Sequence, residues 1–278
     1  MYHDLRGKVA IVTGVGRELG LGQGIARRFA REGVHLVLCD ICRSFQEFPG
    51  YGMGDWQYLE SVAKDIQSIG VRALPIKVDV SQSAEVTEMI ETAIKEFGHI
   101  DILVNNAGTS AGRDYIVAAR EEAWDRNFAV NAKGTFLCCK AVIPHMIRAD
   151  TGGRIINISS ISGKMGEETY GAYSASKAAA ILLTQTLAKE LGRQGITVNA
   201  ICPGEIDTLM QRKGYLLFLQ QRFGLSEEEA RIRAGEQSAL GRIGTADDIA
   251  NVAAFLASDQ AGYITGQAIN VCGGTIFH

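Results

Sequence analysis

The 278-residue chain lacks the features of nucleic-acid-binding and membrane proteins. Its formal net charge is −3, and its 28 Lys and Arg residues are scattered rather than gathered into a basic run. Such a run is the usual electrostatic footprint of nucleic-acid binding. No stretch approaches the roughly 18 consecutive apolar residues of a membrane span. The N-terminal "MYHDLRGKVAIVTG" carries acid and base before a short apolar run, unlike a signal peptide. We expect a cytoplasmic protein with no nucleic-acid or membrane partner.

The cysteines show no spacing typical of a metal site. Cys39 and Cys42 form one C-x-x-C without a second pair or histidine partners. A redox pair at this position is one alternative. Buried free thiols in a reducing compartment are the favoured interpretation, because most of the six cysteines lie in apolar segments. We expect no bound metal.

Seven short apolar runs alternate with helix-like segments. The runs span residues 8–14, 34–40, 73–80, 100–108, 153–160, 196–204 and 268–274. Apolar residues recur at helical spacing in 22–32, 83–97, 123–149, 172–192 and 246–258. The runs are continuously apolar, as in parallel strands buried on both faces. The pattern predicts an α/β fold, a single Rossmann-type doubly wound parallel sheet of about seven strands with helices on both faces. Without a linker or repeat, residues 1–278 are predicted to form one domain.

Two segments interrupt this alternation. Residues 43–58 are rich in aromatic residues and glycine and predict a long inserted loop, whereas residues 209–239 form a helical excursion after the sixth run. Ligands of doubly wound sheets bind beyond the carboxyl ends of the strands, so the second segment is a candidate substrate lid.

A glycine-rich turn, "TGVGRELGLGQGIA", follows the first predicted strand. Gly14, Gly20 and Gly22 permit a tight turn and close approach of a diphosphate to a helix N-terminus. Asp40 ends the second strand, where a carboxylate can bind both hydroxyls of an adenosine ribose and repel a 2′-phosphate. These features favour NAD. Arg17 or Arg43 could instead pair with that phosphate and favour NADP.

With these motifs the sequence resembles the short-chain dehydrogenase/reductase family over nearly its whole length. Its glycine motif departs from the family pattern, with five residues rather than three between "TG" and "GLG". The resemblance implies that Asn105, Ala107 and Gly108 of "NNAG" support the fourth strand and the cofactor ribose. It implies the following cofactor-binding set: Gly14, Gly16, Gly20, Leu21, Asp40, Asp79, Val80, Asn106, Ala107, Gly108, Tyr173, Lys177, Pro203, Gly204, Ile206 and Thr208.

The stretch "YGAYSASK" contains two tyrosines and a lysine. Tyr173 and Lys177 are four residues apart and share a helix face, whereas Tyr170 is seven residues from the lysine. A phenol has a reference pKa of about 10, and a nearby ammonium favours the phenolate. Tyr173 is therefore the predicted acid/base and Lys177 the group that tunes it. The family's Y-x-x-x-K motif falls on the same positions.

Two further catalytic residues follow from the resemblance. Ser160 precedes Tyr173 by 13 residues and would hold the substrate oxygen, with Ser162 a less favoured substitute and Ser159 on the opposite side of the strand. Asn131 matches the asparagine that kinks a helix and anchors a water that relays protons through Lys177. The implied reaction is hydride transfer between a nicotinamide and a secondary alcohol or ketone.

The substrate and the assembly stay open at this point. Glu205, Tyr170, Met165, Tyr115, Tyr215, Phe218 and Phe223 are candidate pocket residues, with lid packing and a solvated Glu205 as the alternative. Rival functions are an NADP-dependent carbonyl reductase and a nicotinamide-binding sensor without turnover. The long apolar helices and the family predict a homodimer or homotetramer. The 43–58 loop, with Phe45, Phe48, Tyr51, Met53 and Trp56, either covers the adenosine half of NAD and slows its release or packs on the protein itself.

Overall fold

One parallel sheet of seven strands forms the centre of the molecule. The structure is a computed structural model and describes residues 1–43 and 54–278. The strands are β1 (Val9–Thr13), β2 (His35–Asp40), β3 (Ala73–Lys77), β4 (Ile102–Asn105), β5 (Gly153–Ile158), β6 (Ile196–Pro203) and β7 (Ala268–Val271). Their order is β3-β2-β1-β4-β5-β6-β7, and every pair is parallel. The predicted doubly wound sheet is confirmed.

Helices connect the strands and cover both faces of the sheet. Those in the described part of the chain are α1 (Leu21–Arg31), α2 (Trp56–Ser68), α3 (Ser83–Phe97), α4 (Glu121–Asn127), α5 (Thr135–Ala149), α6 (Gly171–Leu191), α7 (Leu209–Gln211), α8 (Leu217–Phe223), α9 (Glu227–Gly235) and α10 (Ala246–Ala257). Two π-helical turns, Phe128–Gly134 and Arg212–Leu216, precede α5 and α8.

Alternate residues of each central strand enter two different cores. In β1, Ala10 and Val12 pack with α1, α2 and α10, whereas Ile11 packs on the opposite side with α3, α5 and α6. All five β1 residues are buried. This period of two explains why the strands are continuously apolar in sequence, since both faces of the sheet are covered.

Several element boundaries differ from the sequence prediction. Helix α2 begins at Trp56, inside the predicted 43–58 loop, because the side chain of Asp55 accepts a hydrogen bond of 2.8 Å from the amide of Tyr58 and caps the helix. Of the loop itself, residues 44–53 lie outside the described residues. Strands β4 and β5 end at Asn105 and Ile158, before the predicted ends at 108 and 160, because the polar residues that follow turn into the site.

The predicted lid at 209–239 contains α7, α8 and α9 with a small core of its own. Leu216, Leu219, Ala230 and Ala234 form that core and are buried. The segment therefore packs as a unit after β6. In the described part of the chain no helix combines the length and apolarity needed to cross a bilayer.

Candidate active site

A cavity of about 210 Å³ lies at the carboxyl ends of the strands. The strand order reverses between β1 and β4, and the cavity walls come from the segments that follow strands β1 to β6. This switch point is where open α/β sheets bind ligands.

The turn after β1 packs directly against the segment after β4. Gly14 has a φ of +74°, and a Cβ there would lie 2.7 Å from the Cα of Ala107. A Cβ on Gly22 would lie 2.5 Å from the carbonyl oxygen of Gly14. Only glycine permits this close approach. Helix α1 begins directly beside the cavity at Leu21, with Gly20 as its N-cap, so its first amide groups are available to an anionic ligand.

Asp40 forms the wall beneath this turn. One of its carboxylate oxygens, Oδ2, accepts a hydrogen bond of 2.8 Å from the amide of Gly16, and Oδ1 accepts one of 3.2 Å from the amide of Cys42. Burial raises the pKa of this carboxyl, although both amides and the charge of Arg17 act in the opposite direction. Asp40 is thus a buried hydrogen-bond acceptor at the edge of the cavity, and two backbone amides fix its orientation.

Gly16 differs from the other predicted cofactor residues in its position. It is not among the residues that line the cavity. Its amide is bonded to Asp40, and its carbonyl accepts a hydrogen bond of 2.8 Å from the amide of Gly54. The β1–α1 turn therefore contacts the chain just before α2, which begins at Trp56. In this structure Gly16 supports Asp40 rather than the cavity surface.

A second carboxylate, Asp79, lines the cavity from the segment that follows β3. Its Oδ2 lies 3.0 Å from Nη2 of Arg43, and its Oδ1 accepts hydrogen bonds from the amide and hydroxyl of Ser81. Arg43, a candidate partner for a 2′-phosphate, therefore pairs with a protein carboxylate in this structure.

Tyr173 and Lys177 lie one turn apart on α6, as their spacing predicts. The Nζ atom of Lys177 is 5.8 Å from the centre of the Tyr173 ring and donates a hydrogen bond of 2.7 Å to the carbonyl of Ile158. Burial lowers the pKa of Lys177 to about 8. The ring of Tyr170 meets that of Tyr173 edge to face at a centroid distance of 5.4 Å. Both tyrosines and the lysine line the cavity.

The serines after β5 have different partners. Ser160 lines the cavity and accepts a hydrogen bond of 3.1 Å from the amide of Ser162, which fixes its hydroxyl at the N-cap of a short 3₁₀ helix. The hydroxyl of Ser159 donates to the carbonyl of Lys177 at 2.9 Å. Ser162 donates to Oε2 of Glu167 at 2.7 Å. In these contacts the hydroxyl groups of Ser159 and Ser162 both donate, whereas that of Ser160 only accepts.

Asn131 occupies the π-helical turn before α5 and is buried. Its Oδ1 accepts from the amide of Thr109 at 2.9 Å, and its Nδ2 donates to the carbonyl of Thr109 at 2.8 Å and to the hydroxyl of Ser176 at 2.9 Å. A Cβ on Gly108 would lie 3.3 Å from both Asn131 Oδ1 and Lys177 Nζ. Asn131 therefore ties the segment after β4 to α6, behind the cavity wall.

The cavity collects most of the residues proposed from the sequence. The predicted residues that line it are Gly14, Gly20, Leu21, Asp40, Asp79, Val80, Asn106, Ala107, Gly108, Ser160, Tyr173, Lys177, Pro203, Gly204, Ile206 and Thr208. Asn105 is instead buried in the sheet, where its Nδ2 donates to Asn157 Oδ1 at 2.9 Å. Of the candidate pocket residues, Tyr170, Glu205 and Tyr215 line the cavity, whereas Met165, Tyr115, Phe218 and Phe223 are exposed and do not.

The part of the cavity around Tyr170 contains polar groups that no sequence motif predicts. Glu167 lines the cavity, and its Oε1 lies 3.8 Å from Nη2 of Arg113. The Arg113 guanidinium carbon is 4.4 Å from the centre of the Tyr170 ring, 5.2 Å from that of Tyr215 and 4.6 Å from that of Phe218. Arg113 thus joins the lid to the start of α6 through cation–π contacts. These residues come together only because two loops pack against the helices of the 209–239 segment.

The six cysteines are all free and buried. Burial raises the pKa of Cys42 to about 12, and that of Cys39 is raised as well, so neither thiol ionises readily near neutral pH. Among residues 1–43 and 54–278, no three His, Cys, Asp or Glu side chains are grouped as a metal site requires.

Comparison with known proteins identifies similar sequences. The sequence model of the family described as enoyl-(acyl carrier protein) reductase matches residues 14–276. A 3-oxoacyl-[acyl-carrier-protein] reductase of Staphylococcus epidermidis is 39% identical over 267 residues, which cover 96% of this chain and 98% of the relative.

Solved structures match over the same range. Carveol dehydrogenase from Mycobacterium avium, in complex with NAD, has a TM-score of 0.91 at 28% identity and covers 98% of this chain and 99% of its own. An NAD⁺-bound xylitol dehydrogenase has a TM-score of 0.86 at 30% identity, with coverage of 97% and 99%. Both likenesses therefore extend over nearly the whole chain.

Proposed function

Since this chain belongs to the short-chain dehydrogenase/reductase family of oxidoreductases, we propose that it transfers hydride between NAD and a secondary alcohol or ketone. The observation that carries this proposal is the pairing of Tyr173 with Lys177 on one wall of a cavity that also contains Ser160 and Asp40. A sensor without turnover has no use for a tyrosine and lysine held in this way.

The walls of the cavity fit a nicotinamide dinucleotide. Gly14 and Gly22 keep the β1–α1 turn free of side chains, and the first amide groups of α1 suit a diphosphate. Asp40 suits the hydroxyls of a ribose, and Thr208 and Ile206 line the end near Tyr173. Bound NAD would supply the hydride acceptor.

The side chains of this protein move the proton and hold the substrate. Tyr173 removes the proton from the alcohol hydroxyl during oxidation, or returns it during reduction, as the general base or acid. Lys177 favours the ionised phenol through its charge, and its bond to Ile158 keeps it in place. Ser160 donates its hydroxyl hydrogen to the substrate oxygen, because its own oxygen already accepts from Ser162. Asn131 bonds to Thr109 and to Ser176, the residue before Lys177. In this proposal it anchors the water through which Lys177 exchanges protons with solvent.

NAD is preferred over NADP in this proposal. A 2′-phosphate would meet the Asp40 carboxylate, which is held by two amides and buried from screening solvent. Nη2 of Arg43, whose charge would offset this repulsion, lies 3.0 Å from the Asp79 carboxylate. We further propose that each chain forms a single catalytic domain, in which residues 209–239 are a lid over the substrate. The chains are proposed to assemble into a homo-oligomer in the cytoplasm.

The experiment that tests the proposal is a steady-state assay of secondary alcohols and ketones with NAD(H) and NADP(H), read at the absorbance of the reduced nicotinamide. We expect turnover with NAD(H) at higher kcat/KM than with NADP(H). Binding of NADH without turnover of any compound would support the sensor, and comparable efficiency with NADP(H) would support the reductase alternative.

A further inference from the structure

The substrate end of the cavity contains a carboxylate with capacity for one more hydrogen bond. Glu205 directly follows Gly204 at the end of β6 and lines the cavity together with Tyr173, Tyr170 and Tyr215. Its Oε2 accepts a hydrogen bond from Nε2 of Gln211 in the lid. Within the described part of the chain no hydrogen bond to the other oxygen of Glu205, Oε1, is seen, so this oxygen can accept one from a ligand.

The chemistry of a carboxylate restricts what can bind there. Burial raises the pKa of Glu205 to about 7, so at pH 9 it is an ionised carboxylate. An ionised carboxylate only accepts hydrogen bonds, so a complementary substrate group must carry a donor. An acceptor left without its donor is costly, which penalises substrates that offer only oxygen acceptors or methylene groups at this point. An aliphatic chain or a 3-oxoacyl group has no donor to give.

The charges around Glu205 decide between anionic, cationic and neutral donors. Glu167 lies close enough to repel Glu205, so a carboxylate or phosphate on the substrate would be the third negative charge in the group. Arg113 faces both carboxylates, and its guanidinium covers the rings of Tyr170 and Tyr215. The aromatic surfaces that would bind a substrate ammonium are therefore already stacked against a cation. A neutral hydroxyl group satisfies all of these conditions.

We propose that Glu205 binds a second hydroxyl group of the substrate, and that the substrates are neutral diols or polyols and the corresponding hydroxyketones. This assignment rests on the proposed function, because it concerns the same cavity. Glu205 acts as a specificity residue: it holds a group that does not react, while Tyr173 and Ser160 act on the reacting oxygen.

The test compares matched pairs of substrates with NAD at pH 9. The pairs are butane-2,3-diol with butan-2-ol, and cyclohexane-1,2-diol and cyclohexane-1,4-diol with cyclohexanol; 2-aminocyclohexanol is a further probe. We expect kcat/KM to be about 10-fold or more higher for at least one diol than for its monohydroxy partner, as for a hydrogen bond to a charged group. In Glu205→Leu, whose side chain cannot hydrogen-bond, this ratio should fall to about one.

A matched control separates the effect from a general loss of charge. Glu168 is exposed, accepts a hydrogen bond from the hydroxyl of Tyr115 and does not line the cavity. We expect Glu168→Gln to retain the wild-type ratio. NADH fluorescence and thermal unfolding check that both variants fold and bind cofactor.

Each outcome bears on one of the two claims. Turnover in which every diol and its partner are used equally well by the wild type would overturn the role of Glu205 and leave the proposed function standing. The same holds if Glu205→Leu keeps the diol preference, or if the amino alcohol is used better than the diol. Absence of nicotinamide-coupled turnover with every compound would overturn the proposed function itself, and the inference with it.

Discussion

The carbonyl oxygen of Ile158 accepts a hydrogen bond of 2.7 Å from the Nζ atom of Lys177. This contact joins the last residue of β5 to the middle of α6. Ser160 lies two residues beyond one partner, and Tyr173 lies one turn before the other. The bond therefore sets the positions of both proposed catalytic hydroxyl groups relative to each other, and buries the lysine that tunes one of them.

We expect Tyr173→Phe to lower kcat by about 10²- to 10⁴-fold, because it deletes the group that transfers the proton. NADH binding, measured by fluorescence titration, should change little. Tyr170→Phe is the matched control: it keeps the ring that packs on Arg113 and Tyr173, and should cost less than about 10-fold. A Tyr173→Phe enzyme with more than about a tenth of the wild-type rate would contradict the assignment.

Asp40→Asn should reduce the preference for NAD over NADP. The variant keeps the size of the side chain and an acceptor for the amide of Gly16, but removes the charge that repels a 2′-phosphate. We expect the ratio of kcat/KM for NAD to that for NADP to fall by about 10-fold or more, since hydrogen bonds to charged groups contribute about 1.5–3 kcal/mol. An unchanged ratio in steady-state kinetics would mean that Asp40 does not determine cofactor choice.

Glu205→Gln should stabilise the protein above neutral pH and have little effect at pH 5. Burial, and then the charge of Glu167, raises the pKa of Glu205 from 4.5 to about 7. A raised folded-state pKa means that the stability from the protonated carboxyl is complete below about pH 4.5 and is lost as the pH rises through about 7.

The glutamine mimics the neutral carboxyl at every pH. At about 1.4 kcal/mol for each pKa unit, the gain at pH 8 is at most about 3 kcal/mol. Urea unfolding of both proteins at pH 5 and pH 8 measures it. Equal differences between the two proteins at the two pH values would show that Glu205 does not titrate in this range.

Gly54→Ala should weaken cofactor binding from outside the cavity. A Cβ at this position would collide with the carbonyl of Gly16, whose amide holds Asp40. We expect a higher dissociation constant for NADH and a faster release in stopped flow. Gly192→Ala is the control, since a Cβ there has no heavy atom within 4 Å. If both variants bind NADH like the wild type, the contact between Gly54 and Gly16 does not support the site.

We expect the chain to form a dimer or tetramer through α5 and α6. Phe136 and Ile147 on α5 and Leu182 on α6 are 46%, 42% and 63% exposed, an apolar surface that association would bury. Light scattering at micromolar concentration should give a multiple of the 29.9 kDa chain mass. Leu182→Glu should lower that mass, and Val117→Glu, at an exposed site in another segment, should not. A monomeric wild type would refute the prediction.

The sequence predicts the sheet and the reacting residues well because both depend on local patterns. Continuously apolar runs report strands covered on both faces, and Tyr173 and Lys177 report a shared helix face. The sequence does not predict the position of Gly16, because the longer turn contacts Gly54, a residue that lies beyond the next strand. The substrate end has no local signature either. Arg113 and Glu167 are unremarkable in sequence and acquire a role only when two loops and the lid pack together.

The π-helical turn at Phe128–Gly134 sets the rotational phase of the helix that follows it. Such a turn amounts to one residue added to an α-helix, and each helical residue advances by about 100°. Asn127 before the turn and Leu137 after it are both buried, each against a different part of the protein. Removing one residue here would restore an ordinary helix but rotate one of these two faces into solvent. The length of this segment therefore determines which faces of the two helices are buried. A single-residue deletion or insertion here should disturb the packing more than most substitutions in it.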